Sequence, residues 1–480
     1  MANDGPSDIT ATNLYAFLAP ITVAQRQARF TNWGRTFTCR PSAIFEPQNE
    51  AQCQLILQLA RREGKRVRVA GVGHSPSDLA CTDEFMLRTT SLNKLLEVNA
   101  DKRYVVAQGG ITLNALHVVL AQHGLAMSNL GSISEQTLAG VVSTMTHGSG
   151  VGFQVLSTYV MALTLLLADG SRVTCSPEQR GELFMASICG LGTTGLILSV
   201  QLAVEPAFRL KEVRTPLKFD TMVADLDSLA RSAEHVRMWW FPVTDLVIYN
   251  QANRTDEPKQ ASGSWFWDTF CGYHVVQILL YASRFIPSLT VPVGKFAAWL
   301  ADAQSVAVDD SYKIFNVNCR YPQHTTEWAV PLSEAAACLR ALRTYLSSEL
   351  ANPHGERPHF PIEVRFSAAD DMWLSPSSGQ ATCWIGIVQY KPFSAPVRYR
   401  ALFRAFEDIV EAHAGRPHWA KAHRLRPADL RRLYPRFDDF VRVMRGADPD
   451  GMWQNPYTRR HLLGEEAEEV GPRVFKARRE

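Results

Sequence analysis

RVRVAGVGHSPSDLACTD, residues 66–83, opens on alternating polar and apolar side chains, the pattern of a half-buried strand. Gly71 and Gly73, with Val72 between them, end it. Glycines at this point allow positive φ and bring backbone N–H groups close to a ligand. His74 is the single imidazole of the loop, followed by Ser75, Pro76, Ser77 and Asp78. Taken alone, the loop has two readings. It is a structural turn, or it cradles a diphosphate and holds one nucleophilic ring nitrogen against a bound group. It matches neither the dinucleotide fingerprint nor the P-loop.

Around this stretch, strands and helices alternate. Leucines and alanines at helical spacing from Asn49 to Arg62 predict an amphipathic helix that Gly64 stops. Phe85–Leu87 and Tyr104–Ala107 read as strands, and Leu113–His123 as a helix. A second region poor in charge and rich in glycine and hydroxyls follows. It holds Asn129, Gly131, Ser132, Thr137, Gly140, Ser143, Thr146, His147 and Gly148. Small residues, hydroxyls and backbone amides are what a buried diphosphate and ribose require. Val160–Ala168 and Arg172–Cys175 form a hairpin about Asp169-Gly170, and Leu196–Val204 is a further strand. The pattern is α+β. Its domains are expected to be an N-terminal lead over 1–34 with a short helix near Val23–Phe30, a ligand-binding domain over 35–210, a second domain over 211–447, and a C-terminal segment over 448–480.

The 480 residues suffice for two or three domains, and a net charge of +3 gives no chain-level case for nucleic acid. Nine cysteines without metal-like or paired spacing read as reduced, mostly buried thiols. The first residues lack the basic start and apolar run of a secretory signal. Trp265–Leu300 is the most apolar stretch, but its longest charge-free run, Thr269–Ser283, has 15 residues. A spanning helix needs ~20. The expectation is therefore helices that lie on or dip into a membrane, with a buried core helix as the alternative.

In the second half, FPIEVRF (360–366) alternates sharply. As a strand it puts Glu363 and Arg365 on one face, roughly 7 Å apart. The pair reads either as an acid and a fixed positive charge facing a substrate, or as a surface salt bridge. RPHWAKAH (416–423) packs two histidines, a tryptophan and Lys421 into a short turn. DPDGMWQNP (448–456) is a turn carrying Asn455.

GHSPSDLACTD, NLGSISEQT, THGSG, IEVRF, RPHWAKAH and DPDGMWQN, in this order, resemble the aldonolactone oxidoreductases of the vanillyl-alcohol-oxidase flavoprotein superfamily. The resemblance runs from about Thr38 to Tyr457. SWFWD, CRYPQHTTEWAVP and DDMWLSP are nearest to the gulonolactone-oxidising branch, and SNLGSISEQT is equally like the arabinonolactone-oxidising one. It implies a two-domain FAD-binding fold with a C-terminal α+β cap over the isoalloxazine. It implies covalent FAD through His74. It also implies a cofactor site of Gly71, Val72, Gly73, Ser75, Pro76, Gly131, Ser132, Thr137, Gly140, Ser143, Thr146, His147, Gly148, Ile197 and Asn455. The implied reaction is oxidation at C2 of an aldono-1,4-lactone, with Glu363, Arg365 and Lys421 as the catalytic groups. Oxygen is the implied acceptor, giving hydrogen peroxide and ascorbate or an analogue. A galactonolactone dehydrogenase or an alditol oxidase on the same scaffold is the alternative. In the plant dehydrogenases of the family a small alanine near the flavin restricts oxygen, and Gly109-Gly110 stands at the corresponding place here. The resemblance further implies the endoplasmic reticulum or mitochondrial outer membrane, with the catalytic domain facing a reducing compartment.

Overall fold

The structure, a computed structural model, describes residues 10–261, 263–316, 319 and 321–467. Three short strands, β1 (Ala43–Phe45), β2 (Val67–Ala70) and β3 (Phe85–Arg88), form a parallel sheet in the order β1-β3-β2. Helix Glu50–Glu63 makes the crossover. Asn49 caps it by accepting from Gln52 N at 3.0 Å, and Gly64 ends it at φ +60°. Leu14 and Leu18 of helix Ala11–Leu18 share a core with Ile56, Leu59 and Trp453. The N-terminal lead is thus integral from residue 10, and its helix precedes the expected one. Val23–Phe30 holds only a single turn, Gln25–Gln27. Residues 1–9 and 468–480 lie outside the described residues.

Beside this sheet, β4 (Leu95–Asn99), β5 (Tyr104–Gln108), β6 (Val160–Leu166), β7 (Arg172–Cys175) and β8 (Leu196–Ala203) pair antiparallel in the order β7-β6-β8-β5-β4. The glycine- and hydroxyl-rich region bridges them through helix Leu138–Ser143.

The second domain is built on an eight-stranded antiparallel sheet. Its strands are β9 (Arg209–Lys218), β10 (His235–Phe241), β11 (Leu246–Thr255), β12 (Ser305–Asp310), β13 (Gln323–Pro331), β14 (Ile362–Ser367), β15 (Thr382–Tyr390) and β16 (Arg416–Pro417). They run β12-β9-β11-β10-β14-β15-β13-β16. Ile362, Val364 and Phe366 of β14 bury in one core with Leu339, Leu342 and Leu346 of helix Leu332–Ala351. The alternate residues therefore face the first domain. Register aligns Trp239, Glu363, Gly386 and Glu327 across four adjacent strands on that face.

Trp265–Leu300 leaves this sheet as a wide π-type helix (Trp265–Val275), an α-helix (Val276–Ser283) and a second α-helix (Thr290–Ala301). Val276, Leu280, Val293 and Ala298 pack on Phe241, Ile248 and Phe360. The outer face keeps Trp265 70%, Phe285 69% and Trp299 61% exposed. The excursion is therefore not a buried core helix. Among the described residues no helix is long and apolar enough to cross a membrane.

Residues 448–453 return to the first domain. Gly451 turns at φ +69°, Asp448 accepts from Met452 N and Trp453 N at 2.8 Å each, and Val67 N donates to Met452 O at 2.8 Å.

Candidate active site

β2 delivers the chain into a cleft lined by Gly71, Val72, Gly73, His74, Ser75, Thr137, Gly140, Ser143 and Ile197. Gly73 sits at φ +82°. A Cβ on Gly71 would stand 2.3 Å from Thr137 Oγ1, so only glycine allows this approach. His74 stacks on Trp33 with ring centroids 5.3 Å apart. Its Nδ1 is buried without a hydrogen-bond partner. Burial, joined by the nearby Lys421 ammonium, lowers its pKa, so the ring is neutral and keeps a free lone pair.

The loop is clamped from behind. Arg460 Nη2 donates to both carboxylate oxygens of Asp78 at 2.9 and 3.1 Å. Asn455 Nδ2 donates to Leu79 O and Cys81 O at 2.9 Å each, and its Oδ1 accepts from Thr458 N at 3.0 Å. Asn455 thus buttresses the loop from behind and is not among the residues that line the cleft. Pro76 also lies outside the lining. Arg68, buried, donates to Leu79 O and Leu191 O at 2.7 Å each and stands at the cleft wall.

Gly131, Ser132, Thr146, His147 and Gly148 do not line this cleft but lead away from it toward the second domain. Ser132 Oγ donates to Glu363 Oε1 at 3.1 Å. Thr146 Oγ1 is buried without a partner. A Cβ on Gly131 would lie 2.8 Å from Thr146 Cγ2, and one on Gly148 only 2.1 Å from Asn129 Oδ1. Gly150 then pairs with Ser367 at the end of β14. Ser77 Oγ donates to Ala420 O at 3.0 Å, which ties the His74 loop to the turn bearing Lys421.

Glu363 and Arg365 do face each other, with Arg365 Nε 3.3 Å from Glu363 Oε1, but the pair is not on the surface. Their side chains are 19% and 8% exposed. The sequence reading missed their neighbour Glu327. Its Oε1 accepts from Arg365 Nη2 at 3.0 Å and lies 3.0 Å from His147 Nε2, and its Oε2 is 3.7 Å from Lys421 Nζ. Burial alone would raise the Glu327 pKa, but His147, Arg365 and Lys421 outweigh it and hold the carboxyl well below its ordinary value. Burial likewise opposes the Arg365 charge, and Glu363 and Glu327 overcome it. Burial first, then Arg365, lowers the pKa of His147. A lone carboxylate in the apolar run TTEWAVP was the available signal, since a buried acid is rarely left without partners.

Gly109 and Gly110 are explained by packing. A Cβ on Gly110 would stand 1.8 Å from Thr89 O, and one on Gly109 2.5 Å from Ile197 O. Neither is among the residues that line the cleft, though Gly109 packs on Ile197 and Ala139, which do.

Two family models match the chain. One, described as an FAD binding domain, covers residues 41–176. The other, D-arabinono-1,4-lactone oxidase, covers residues 200–461, more than half of the 480. The L-gulonolactone oxidase of Scyliorhinus torazame is 39% identical over 89% of this chain and 97% of its own length.

The chain belongs to the aldonolactone oxidoreductase family.

The Bos taurus L-gulonolactone oxidase is 38% identical over the same shares of the two chains. A solved structure of a solvent-stable cholesterol oxidase covers 95% of this chain and 99% of its own with a TM-score of 0.77 at 19% identity, a likeness of fold. As an aldonolactone oxidoreductase the protein is an FAD-dependent enzyme acting on a CH–OH group. The cleft fits FAD on its own features. It has a neutral imidazole with an orphaned Nδ1, a glycine floor that a Cβ would fill, and walls of hydroxyls.

Proposed function

We propose that this enzyme oxidises C2 of an aldono-1,4-lactone of the L-gulono type, with FAD held covalently through His74 and oxygen as the acceptor. The observation that carries the reading is the juxtaposition of the His74 cleft with the Glu363–Arg365 pair of the facing sheet and with Lys421 of the adjoining turn. When bound, FAD would supply a two-electron hydride acceptor that oxygen can reoxidise with hydrogen peroxide as product. Glu363, held by Ser132 and Arg365, is the group that accepts the proton of the C2 hydroxyl. Arg365 and Lys421 hold positive charge where negative charge develops, beside a wall in which Trp384 stacks on His147. The unpartnered Nδ1 of His74 supports attachment at that atom.

The outer face of Trp265–Ala301 supports a membrane surface as partner. Trp, Tyr and Phe on short helices too short to span are what an interfacial element presents, and Arg284 stands beside Tyr281 and Phe285 at its edge. The nine cysteines are all unpaired, in keeping with a reducing compartment and with the endoplasmic reticulum or mitochondrial outer membrane that the resemblance implies.

Anaerobic mixing with L-gulono-, L-galactono- and D-arabinono-1,4-lactone, and with xylitol, tests the reading. The expected result is bleaching of the flavin absorbance fastest with the gulonolactone, and its return on admitting air. Fastest bleaching by xylitol would move the enzyme to the alditol oxidases. Fastest bleaching by the arabinonolactone would move it to the second branch. No bleaching by any of them would overturn the assignment.

A further inference from the structure

Glu327 is the only charged residue of β13 and is 4% exposed. It joins three elements that come from separate parts of the chain. His147 arrives from the THGSG loop and Arg365 from β14. Lys421 comes from the 416–423 turn, whose His418 N donates to Glu327 O at 3.0 Å. Lys421 N in turn donates to His418 O at 2.9 Å. One residue therefore fixes the turn by its backbone and both cations by its side chain.

His147, Glu327 and His418 each bring one ligand atom within 4.8 Å of the others, which has the outline of a metal centre. The charges argue against that use. Arg365 and Lys421 already stand against the two Glu327 oxygens, and a metal ion would enter against both. The Glu327 carboxylate is instead satisfied by these two cations as it stands, and burial lowers the pKa of both His147 and His418.

We propose that Glu327 is a positioning residue of the oxidation. Its carboxylate holds Arg365 and Lys421 in place and offsets their charge, and so sets how strongly the site favours the reduced flavin. Without it, a buried and a half-buried cation face one carboxylate, and Arg365 turns wholly onto Glu363. This rests on the FAD reading of the cleft.

The test uses the flavin-loaded enzyme and reads the flavin midpoint potential by dye equilibration, without lactone, beside kcat and KM. Glu327→Gln keeps shape and hydrogen bonding but removes the charge. Its potential is expected to become more positive, while kcat falls about tenfold or more and KM is largely retained. Glu327→Asp keeps the charge and draws it back, so its potential should stay near wild type while kcat falls. Lys421→Met should shift the potential negative, and adding Glu327→Gln should return it toward wild type. A wild-type potential in Glu327→Gln would overturn the proposal. So would a double variant whose potential stays where Lys421→Met alone puts it, and that comparison serves if Glu327→Gln alone does not fold. A purely structural role would lower stability and leave every potential unmoved. Failure of the wild type to bleach with lactones would remove the substrate reading but leave these potentials measurable.

Discussion

His74 and Glu363 do different work, and single substitutions separate them. The His74 imidazole is neutral and its Nδ1 unpartnered, so His74→Ala removes the proposed point of attachment but leaves the glycine cradle. Flavin should then be extracted by acid precipitation, and the yellow fluorescence expected of wild type on a denaturing gel should be absent. Fluorescence persisting in the variant would exclude His74 as the tether. Glu363 contacts Ser132 and Arg365 and lies outside the cleft lining. Glu363→Ala should slow anaerobic flavin reduction by about 10²–10⁴-fold with unchanged FAD content. An unaltered reduction rate would take Glu363 out of the chemistry. Strand alternation placed Glu363 and Arg365 on one face from sequence. Their burial was not readable, because the first domain that covers them is remote in the chain.

At the scale of elements, two segments carry testable load. The C-terminal turn holds the His74 loop through Arg460 and Asp78, whose side chains are 7% and 2% exposed. Arg460→Met leaves Asp78 as a buried charge without this partner and should destabilise the protein by about 3–5 kcal/mol. Denaturant unfolding checks this, and FAD content should fall with stability. The second segment is the helical excursion. Its inner face packs on Phe241 and Phe360, and Gly294 is small enough to sit against Val243, where a Cβ would lie 2.5 Å from Cγ2. Its outer aromatics touch little of the protein. Replacing Trp265, Trp267 and Trp299 together by serine should abolish sedimentation with phospholipid vesicles and leave lactone-dependent bleaching intact. Vesicle binding equal to wild type would refute the lipid-facing assignment. Apolarity alone left this segment open between core and surface. Helical periodicity becomes decisive only once the sheet fixes which side is covered.

Over the whole molecule, buried titratable groups set the pH response. Burial lowers His117, His235 and His359 to about 4, and His324 and His461 to about 3. Exposed in the unfolded chain they titrate near ~6.5. Between those values the unfolded chain takes up protons that the fold refuses. Their contribution is therefore complete above about pH 6.5 and is lost as pH falls toward 4. Asp370, raised by burial to about 6, and Glu407, raised by burial to about 7, act in the opposite sense, since the fold prefers them protonated. Five histidines outweigh two carboxyls, so the melting temperature should drop steadily from pH 7 to pH 4. A melting temperature that held or rose over that range in calorimetry would contradict the balance.

The local features were set by the sequence. The strand into Gly71, the turn at Gly73 and the Asn49 cap each depend on residues within a few positions, where steric and hydrogen-bonding preferences act directly. The family resemblance was legible for the same reason, as short motifs in a fixed order. The tertiary structure alone decided that Glu327 belongs to the site, that Asn455 serves the loop behind it, and that Gly109 and Gly110 are fixed by packing. Each depends on which distant segment lies opposite. The fields and contacts involved act over a few ångströms of space, between residues that are tens to hundreds of positions apart along the chain.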